Sequence, residues 1–347
     1  MALTHLVGSV NLDDAEEVFR TVSEVLGDQI LRMSDGETNA KNWIGVQMPR
    51  LGSNPALHPA PPIPNTYRPI PAWQLRDGVK ASDVELDLGY AAAAVASYAT
   101  LTRLKQGGIV PAGVRFQVSL PSPIAITAAL IAARDQRALA PVVERALIEE
   151  AKRIAVTVPA EELAIQWDVA VEFAVLEGAM DFALSRSEMF DLLVRLGDAV
   201  PAEIEVGYHL CYGDAEREPG AGGEHFMQPR DTALMVAVAN AIGRVRRTIE
   251  FLHLPVPIDR DDDAYYEPLR QLELHPETTL FLGLVHYQDG VAGTQRRIET
   301  AAKFVRGFGV ATECGMGRRP SDRIRELLEI HRDVVVPGSR AQAASAT

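Results

Sequence analysis

The chain has 347 residues, of which 47% are hydrophobic and 23% are charged, an ordinary globular composition with ample material for a core. Its formal net charge of −13 argues against nucleic acid and anionic membranes as partners, because both repel an acidic surface. No stretch reaches the roughly 18 apolar residues of a membrane span, and no secretory signal pattern opens the sequence. We therefore expect a cytoplasmic protein that acts on small molecules, and we leave open whether it forms a homodimer.

Short apolar runs alternate along the chain with longer segments of helical period, which is the pattern of βα units and a parallel sheet. The predicted strands, in chain order, are His5–Val10, Ile30–Ser34, Arg115–Leu120, Leu163–Val169, Ile204–Tyr212, Thr248–Leu254, Thr279–His286 and Val310–Cys314. The predicted helices include Asp13–Leu26, Pro229–Val245, Gly293–Phe308 and Ser321–Val335. Eight such units close into a barrel. The sequence thus predicts one α/β domain, a (β/α)8 TIM barrel over residues 1–336, with a disordered tail over 337–347.

Two predicted connections are too long to be simple turns. Thr38–Ser82 follows the second strand and contains the proline-rich run Pro59–Pro64, and Gly213–Arg230 follows the fifth strand. Both leave the barrel at the C-terminal ends of its strands, where barrel enzymes build their active sites. Long loops in compact domains are usually functional or disordered. We expect these two to be lids over the C-terminal face.

The fifth strand carries the first chemical signal. His209 and Cys211 are two residues apart, so their side chains share one face of the strand. An imidazole and a thiolate that converge suit Zn²⁺, although His-x-Cys alone is a weak signal. The chain's other cysteine, Cys314, ends the eighth strand, and cysteines in a reducing compartment are more often ligands or core than disulfides. We predict a zinc site formed by these three residues.

The ordered series of motifs resembles the cobalamin-independent methionine synthases. That family holds zinc with a His-x-Cys on one strand, a Glu on the next and a Cys in a Cys-Gly-Leu-type turn near the end. His209, Cys211 and Cys314–Met316 look like three of these ligands. Val7–Ser9, Asp35–Glu37, Ile165–Asp168 and Leu284–His286 are similar, in order, to further family motifs. The resemblance spans nearly the whole chain and covers only the family's catalytic barrel, so we expect a core-only relative without the family's extra N-terminal barrel.

The resemblance implies a zinc-dependent methyl or alkyl transferase. Zinc would bind a small-molecule thiol as a thiolate, which attacks the carbon of an alkyl donor. Glu37 and Asp168, with the backbone around Ser9, would hold the ammonium group of an amino-acid substrate, and Asp35 belongs to the same motif. The alternatives are purely structural: Glu37 would cap a helix, and Asp168 would pair with an arginine inside the barrel.

Three residues around the seventh strand complete the predicted site. By resemblance, His286 would protonate the leaving group as a general acid; alternatively it is a hydrogen-bonded histidine of the rim. Tyr287 and Asp289 follow on the seventh loop, where we expect them to make polar contacts with substrate. We also expect that one of these two residues orients the ring of His286.

The fourth metal ligand is ambiguous in the sequence. Thr248–Glu250 resembles the family's Thr-Ile-Glu and nominates Glu250, which lies near the start of its strand. Counting as far into the sixth strand as His209 lies into the fifth leads instead to His253. Because barrel active sites lie at strand ends, we predict His253 as the ligand.

Departures from the family pattern indicate that the substrate has changed. Leu284 replaces the Asp that would orient the general acid, and Val169–Ala170 replaces the family's Glu-Pro. Neither the thiol nor the donor is specified, and nothing points to folate. Three other functions are compatible with the sequence. The protein could form or cleave a carbon–sulfur bond with another electrophile, or be a metal-free lyase or decarboxylase on the related uroporphyrinogen decarboxylase-type barrel. It could also be a barrel that binds a ligand without catalysis.

Overall fold

The computed structural model describes residues 3–37, 44–63, 70–213 and 227–337. The strands in these ranges are β1 Arg32–Ser34, β2 Leu57–Ile63, β3 Ile70–Leu75, β4 Arg115–Pro121, β5 Leu163–Val169, β6 Glu205–Leu210, β7 Phe251–Pro255, β8 Thr279–Val285 and β9 Gly309–Thr312. Seven of them form a parallel sheet in the order β1-β4-β5-β6-β7-β8-β9. Every neighbouring pair is parallel, as βα units require.

The segment before the first helix joins the two edges of this curled sheet. Thr4 forms parallel bridges with both Ile30 and Val310, and the His5 N–H donates to the Val310 carbonyl at 3.0 Å. Val10 forms a further bridge with Met316. The predicted strand His5–Val10 therefore occupies the eighth position as isolated bridges instead of a continuous strand. The predicted single (β/α)8 barrel is confirmed.

Helices separate the strands: α1 Ala15–Leu26, α2 Gln47–Ser53, α3 Tyr90–Gln106, α4 Pro123–Leu130, α5 Ala133–Thr157, α6 Val171–Leu176, α7 Arg186–Ala199, α8 Ala233–Ile242, α9 Asp263–Tyr266, α10 Gly290–Ala301 and α11 Ile324–Asp333. The Asp14 side chain caps α1 by accepting from the Glu17 N–H at 2.9 Å. Strand β5 is buried at all of its positions, as expected between an outer helical layer and a filled barrel interior. No described helix has the combined length and hydropathy needed to cross a membrane.

The segment predicted as the loop Thr38–Ser82 contains regular structure. Within it, α2 precedes an antiparallel hairpin of β2 and β3. The hairpin docks beyond α4, where the Ala132 N–H donates to the Trp73 carbonyl at 2.9 Å. The described prolines of the run, Pro59, Pro61 and Pro62, lie in β2. The register with β3 is irregular between Ala60 and Ile63, as is typical where prolines in an edge strand lack an N–H. Most of the second predicted loop, Gly213–Arg230, lies outside the described residues, as do positions 338–347 of the predicted tail.

Candidate metal centre

Three soft donors converge at the C-terminal end of the barrel. His209 lies on β6, Cys211 directly follows this strand, and Cys314 follows β9. One ligand atom from each lies within 4.8 Å of the others, and no second such group of His, Cys, Asp and Glu occurs among the residues that the structure describes. The two sulfur atoms are 3.4 Å apart, and Cys314 Sγ is 3.9 Å from His209 Nε2. His209 and Cys211 are buried, whereas Cys314 is partly exposed.

These distances and this chemistry suit zinc. Tetrahedral zinc with Zn–S of about 2.3 Å and Zn–N of about 2.0–2.1 Å sets its ligand atoms roughly 3.4–3.8 Å apart. The Sγ–Sγ and Sγ–Nε2 separations of 3.4 and 3.9 Å lie close to that range. A borderline-soft cation also matches two thiolates and an imidazole better than Mg²⁺ or Ca²⁺ would, since those ions prefer oxygen. The residues therefore fit the ion that the sequence predicts.

Local backbone structure orients both cysteines. Gly213 has a φ of 78°, a left-handed conformation that suits glycine, and its N–H donates to Cys211 Sγ at 3.2 Å. On the other side of the site, the Thr312 hydroxyl donates to the Cys314 carbonyl at 2.6 Å. Both contacts come from residues two positions away, so the turns after β6 and β9 contribute directly to the placement of the cysteines.

Ser9 supports the turn that bears Cys314. Its carbonyl accepts from the Met316 N–H at 2.6 Å, and its hydroxyl accepts from the Gly317 N–H at 3.3 Å. A Cβ placed on Gly315 would overlap Ser9 Oγ and lie 3.1 Å from the Ser9 nitrogen. The structure thus places Ser9 against the cysteine turn; its predicted contact with substrate stays a prediction.

His253 lies beside His209, as strand depth predicts. The two are register partners on β7 and β6. Their Nδ1 atoms are 2.7 Å apart, and His253 Nε2 is 3.0 Å from the Thr312 carbonyl. The structure does not bring His253 into the group of three donors. The rival candidate Glu250 precedes β7, accepts from the Val206 N–H and pairs with Arg247 at 3.3 Å, so it belongs to the N-terminal end of the barrel.

A group of carboxylates lies near the metal centre. Asp168 on β5 is the register partner of His209 and accepts from Gln166 Nε2 at 2.8 Å. Glu37 follows β1, and a Cβ on Gly8 would overlap its Oε1, so the glycine makes room for the carboxyl group. Burial, and then the charges of Asp168 and Asp35, raise the pKa of Glu37 well above its usual value. Such a site favours an incoming cation.

Asp35 shapes the turn that presents Glu37. One of its oxygens accepts from the Glu37 N–H at 2.8 Å, and the other accepts from the Ser97 hydroxyl at 2.6 Å. Glu37 has a φ of 50°, which is uncommon for a residue other than glycine. The hydrogen bonds of Asp35 account for this backbone turn, and its predicted contact with substrate stays untested.

His286 lies at the end of β8, next to a residue that sequence reasoning missed. Its Nε2 is 2.9 Å from the Val256 carbonyl, and its Nδ1 is 3.9 Å from Glu313 Oε1. Burial lowers the pKa of His286 to about 4, against the opposing charge of Glu313. The ring is therefore neutral at pH 7, its Nε2–H donates to the Val256 carbonyl, and general-acid catalysis would first require protonation at Nδ1. The proximity of Glu313 to Cys314 in the chain was the available signal.

The two predicted loop residues have different surroundings. Asp289 forms a bidentate salt bridge with the buried Arg297, whose two terminal nitrogens lie 2.7 and 2.8 Å from the carboxylate oxygens. This guanidinium helps to lower the pKa of Asp289. Tyr287 is partly buried and packs against the hydrophobic core. Neither residue is the hydrogen-bond partner of His286 Nε2, which faces Val256. Their predicted roles in substrate binding remain predictions.

Comparisons with known proteins bear on the fold. No protein-family model matches the sequence, and no curated protein matches it in sequence. A B12-independent methionine synthase from a Shewanella species, solved with selenomethionine, is similar in structure with a TM-score of 0.59 at 14% identity, over 95% of this chain and 96% of that chain. A methyltransferase from Methanosarcina mazei aligns with a TM-score of 0.47 at 11% identity, over 94% of this chain and 93% of that chain. The first likeness shows a shared barrel fold.

Proposed function

We propose that this protein is a zinc-dependent transferase that moves a methyl or related alkyl group between a donor and a small-molecule thiol. The observation that carries the proposal is the convergence of His209, Cys211 and Cys314 at the C-terminal mouth of the barrel, with ligand atoms within 4.8 Å of one another. A fold similar to that of a methionine synthase supports the same class of reaction. The acidic composition agrees with a small-molecule partner.

Three protein donors suit a catalytic site better than a purely structural one. Structural zinc sites have four protein ligands, whereas catalytic sites leave one position for water or substrate. Bound zinc would supply Lewis acidity that keeps a thiol deprotonated at neutral pH. The protein's own residues would fix the geometry: the Gly213 N–H stabilises negative charge on Cys211 Sγ, and burial of His209 excludes water from one side of the site.

The carboxylates Glu37 and Asp168 point to an amino group on the thiol substrate. The raised pKa of Glu37, which burial and Asp168 cause, means that a cation bound here would relieve electrostatic repulsion. An ammonium group also offers three N–H donors to carboxylate oxygens. We infer that an amino thiol binds with its sulfur at the metal and its nitrogen between these two residues.

The test is metal content followed by thiol binding. Zinc is measured by mass spectrometry in protein purified under reducing conditions. We expect one zinc per chain in the wild type and a sharp loss in Cys211→Ser, because a hydroxyl replaces a thiolate poorly. His275→Ala, at an exposed histidine outside the group of three donors, is the matched control and should keep its zinc. Wild-type protein that neither contains nor takes up zinc would refute the proposal and favour the metal-free readings.

A further inference from the structure

The side chain of His253 connects the two halves of the candidate metal centre. It is fully buried, with 0% exposure, and its two ring nitrogens face different partners. Nδ1 is 2.7 Å from Nδ1 of His209, and Nε2 is 3.0 Å from the backbone carbonyl of Thr312. Thr312 in turn donates its hydroxyl to the Cys314 carbonyl at 2.6 Å. One buried imidazole therefore links the strand that bears His209 to the turn that bears Cys314.

The directions of these hydrogen bonds follow from the chemistry of their partners. A backbone carbonyl only accepts, so His253 Nε2 must carry the proton that it shares with Thr312. In a neutral imidazole the other nitrogen is then an acceptor, and His253 Nδ1 takes its proton from His209 Nδ1. His209 is left with a lone pair on Nε2. That is the nitrogen which faces Cys314 Sγ, at 3.9 Å.

We propose that His253 is a positioning residue that fixes the tautomer and ring orientation of His209, so that His209 Nε2 faces the two cysteines as a ready metal ligand. The proposal deepens the function proposed above and rests on it only for the identity of the metal. A histidine ligand commonly donates its second ring N–H to a neighbouring group, which fixes its orientation and raises its basicity. Here that neighbour is another histidine, held by Thr312.

The same geometry argues against His253 as the fourth ligand. His253 Nδ1 lies 2.7 Å from Nδ1 of His209, the ring nitrogen opposite the one proposed to bind the metal. This is a hydrogen-bond distance, shorter than the roughly 3.3–3.4 Å between two nitrogens bound to one zinc. The remaining nitrogen of His253 faces a carbonyl oxygen. A ligand role would require the ring to leave both partners.

The first test reads the tautomer directly in the metal-free wild-type protein. Long-range proton–nitrogen correlation spectra of protein with isotope-labelled histidine distinguish the two neutral tautomers. We expect the proton on Nδ1 of His209 and on Nε2 of His253. A proton on Nε2 of His209 would overturn the proposal, even if the protein binds zinc. Conversely, the expected tautomers in a protein that never binds zinc would refute the transferase and leave the positioning role intact.

The second test separates positioning from ligation by metal binding. His253→Leu should lower cobalt affinity by about 10–100-fold, whereas His253→Gln, whose amide can both accept and donate, should recover most of it. The cobalt absorption bands should keep the wild-type form in both variants, because the ligands are unchanged. His331→Leu, at another fully buried histidine that contacts a carbonyl, is the control for loss of a buried imidazole. A changed cobalt spectrum in His253→Gln would make His253 a ligand and sink the proposal.

Discussion

Glu37 combines an unusual backbone with a perturbed side chain. Its φ of 50° is held by the Asp35 carboxylate, and its carboxyl group fills the space that Gly8 leaves open. Backbone outliers of this kind persist only where the surroundings enforce them, and they cluster at functional sites. The raised pKa has the same origin as the packing, because the side chain is buried beside Asp168. Residue geometry and electrostatics therefore both single out Glu37.

We predict that Glu37→Gln weakens binding of an amino thiol by about 10–100-fold, the range expected for a hydrogen bond between charged groups. A thiol of the same length without the amino group should bind the variant and the wild type equally. Isothermal titration calorimetry measures both, with Glu277→Gln on the exposed surface as the control. Equal losses for the two thiols would show that Glu37 does not contact the amino group.

The raised pKa of Glu37 also fixes the sign of a pH effect. A protonated carboxyl group must release its proton before it can pair with an ammonium group, so affinity for the amino thiol should rise with pH through the folded-state pKa of Glu37. Titrations in two buffers of different ionisation enthalpy would report this extra proton. This release of a proton on binding should be absent in Glu37→Gln, and also when the wild type binds the thiol that lacks an amino group.

The position of a single side chain was predictable where a strand fixes the direction in which that side chain points. The two-residue period placed His209 and Cys211 together, and strand depth paired His253 with His209, as the register confirms. Side-chain partners were not predictable in the same way. Nothing in the sequence indicates that His253 Nε2 faces the Thr312 carbonyl, because this contact depends on the packing of β7 against β9, which are far apart in the chain.

At the scale of elements, the turn after β9 is fitted against the segment before α1. Two glycines of this turn, Gly315 and Gly317, lie where a Cβ would press on Ser9. At Gly315 the nearby atoms include the Ser9 backbone nitrogen and oxygen, at 3.1 and 3.3 Å, so a change of side-chain rotamer cannot relieve the contact. The glycines therefore let the first and last segments of the barrel approach closely enough to hold Cys314.

We predict that Gly315→Ala displaces Cys314 and lowers zinc affinity at least tenfold, since misplacing one of three protein ligands weakens the site. Gly113→Ala, where a Cβ would meet nothing within 4 Å, should leave zinc affinity unchanged. Competition with a coloured zinc chelator measures both variants. Normal zinc affinity in Gly315→Ala would mean that the turn adapts, and that Ser9 does not set the position of the cysteine.

The sequence predicted elements with a regular hydrophobic periodicity, but not the strands whose apolar residues are interrupted by prolines. The amphipathic helices α1 and α11 lie within their predicted ranges, and the apolar strands β4 and β5 match closely. The sequence did not predict the hairpin of β2 and β3, because Pro59, Pro61 and Pro62 indicate an interruption of β-structure. An edge strand tolerates them, and the hairpin gains tertiary contacts, among them the bridge of Trp73 to Ile131 after α4, that no local pattern of the sequence indicates.

At the scale of the whole molecule, the free energy of unfolding should depend on a buried acid outside the metal centre. Glu172 on α6 is 0% exposed. Neither of its carboxylate oxygens has a hydrogen-bond partner of good geometry among the described residues, although the Ser122 hydroxyl is close enough to oppose the shift. Burial raises the pKa of Glu172 to about 7, from 4.5. A carboxyl group in such surroundings stays protonated near neutral pH.

The sign of the resulting pH dependence follows from proton linkage. Below pH 4.5 both the folded and the unfolded states carry the proton, so the contribution of Glu172 to stability is fully present there. As pH rises from 4.5 to about 7, the unfolded state loses its proton while the folded state keeps it, and stability falls. This difference in pKa between the two states corresponds to an upper bound on the order of 3 kcal/mol. Above pH 7 the loss is complete and constant.

We predict that Glu172→Gln removes this loss. Relative to the wild type, the variant should gain stability as pH rises from 5 to 8, by about 1.4 °C in Tm for each kcal/mol recovered in a chain of this length. Thermal unfolding followed by circular dichroism at both pH values measures the difference between the two proteins, which cancels the titration of all groups that they share. Glu161→Gln, at an exposed position, should show a difference that does not vary with pH. If the Glu172→Gln difference is also the same at pH 5 and pH 8, then Glu172 is ionised in the folded protein at neutral pH, and a donor that reaches its carboxylate must stabilise the buried charge.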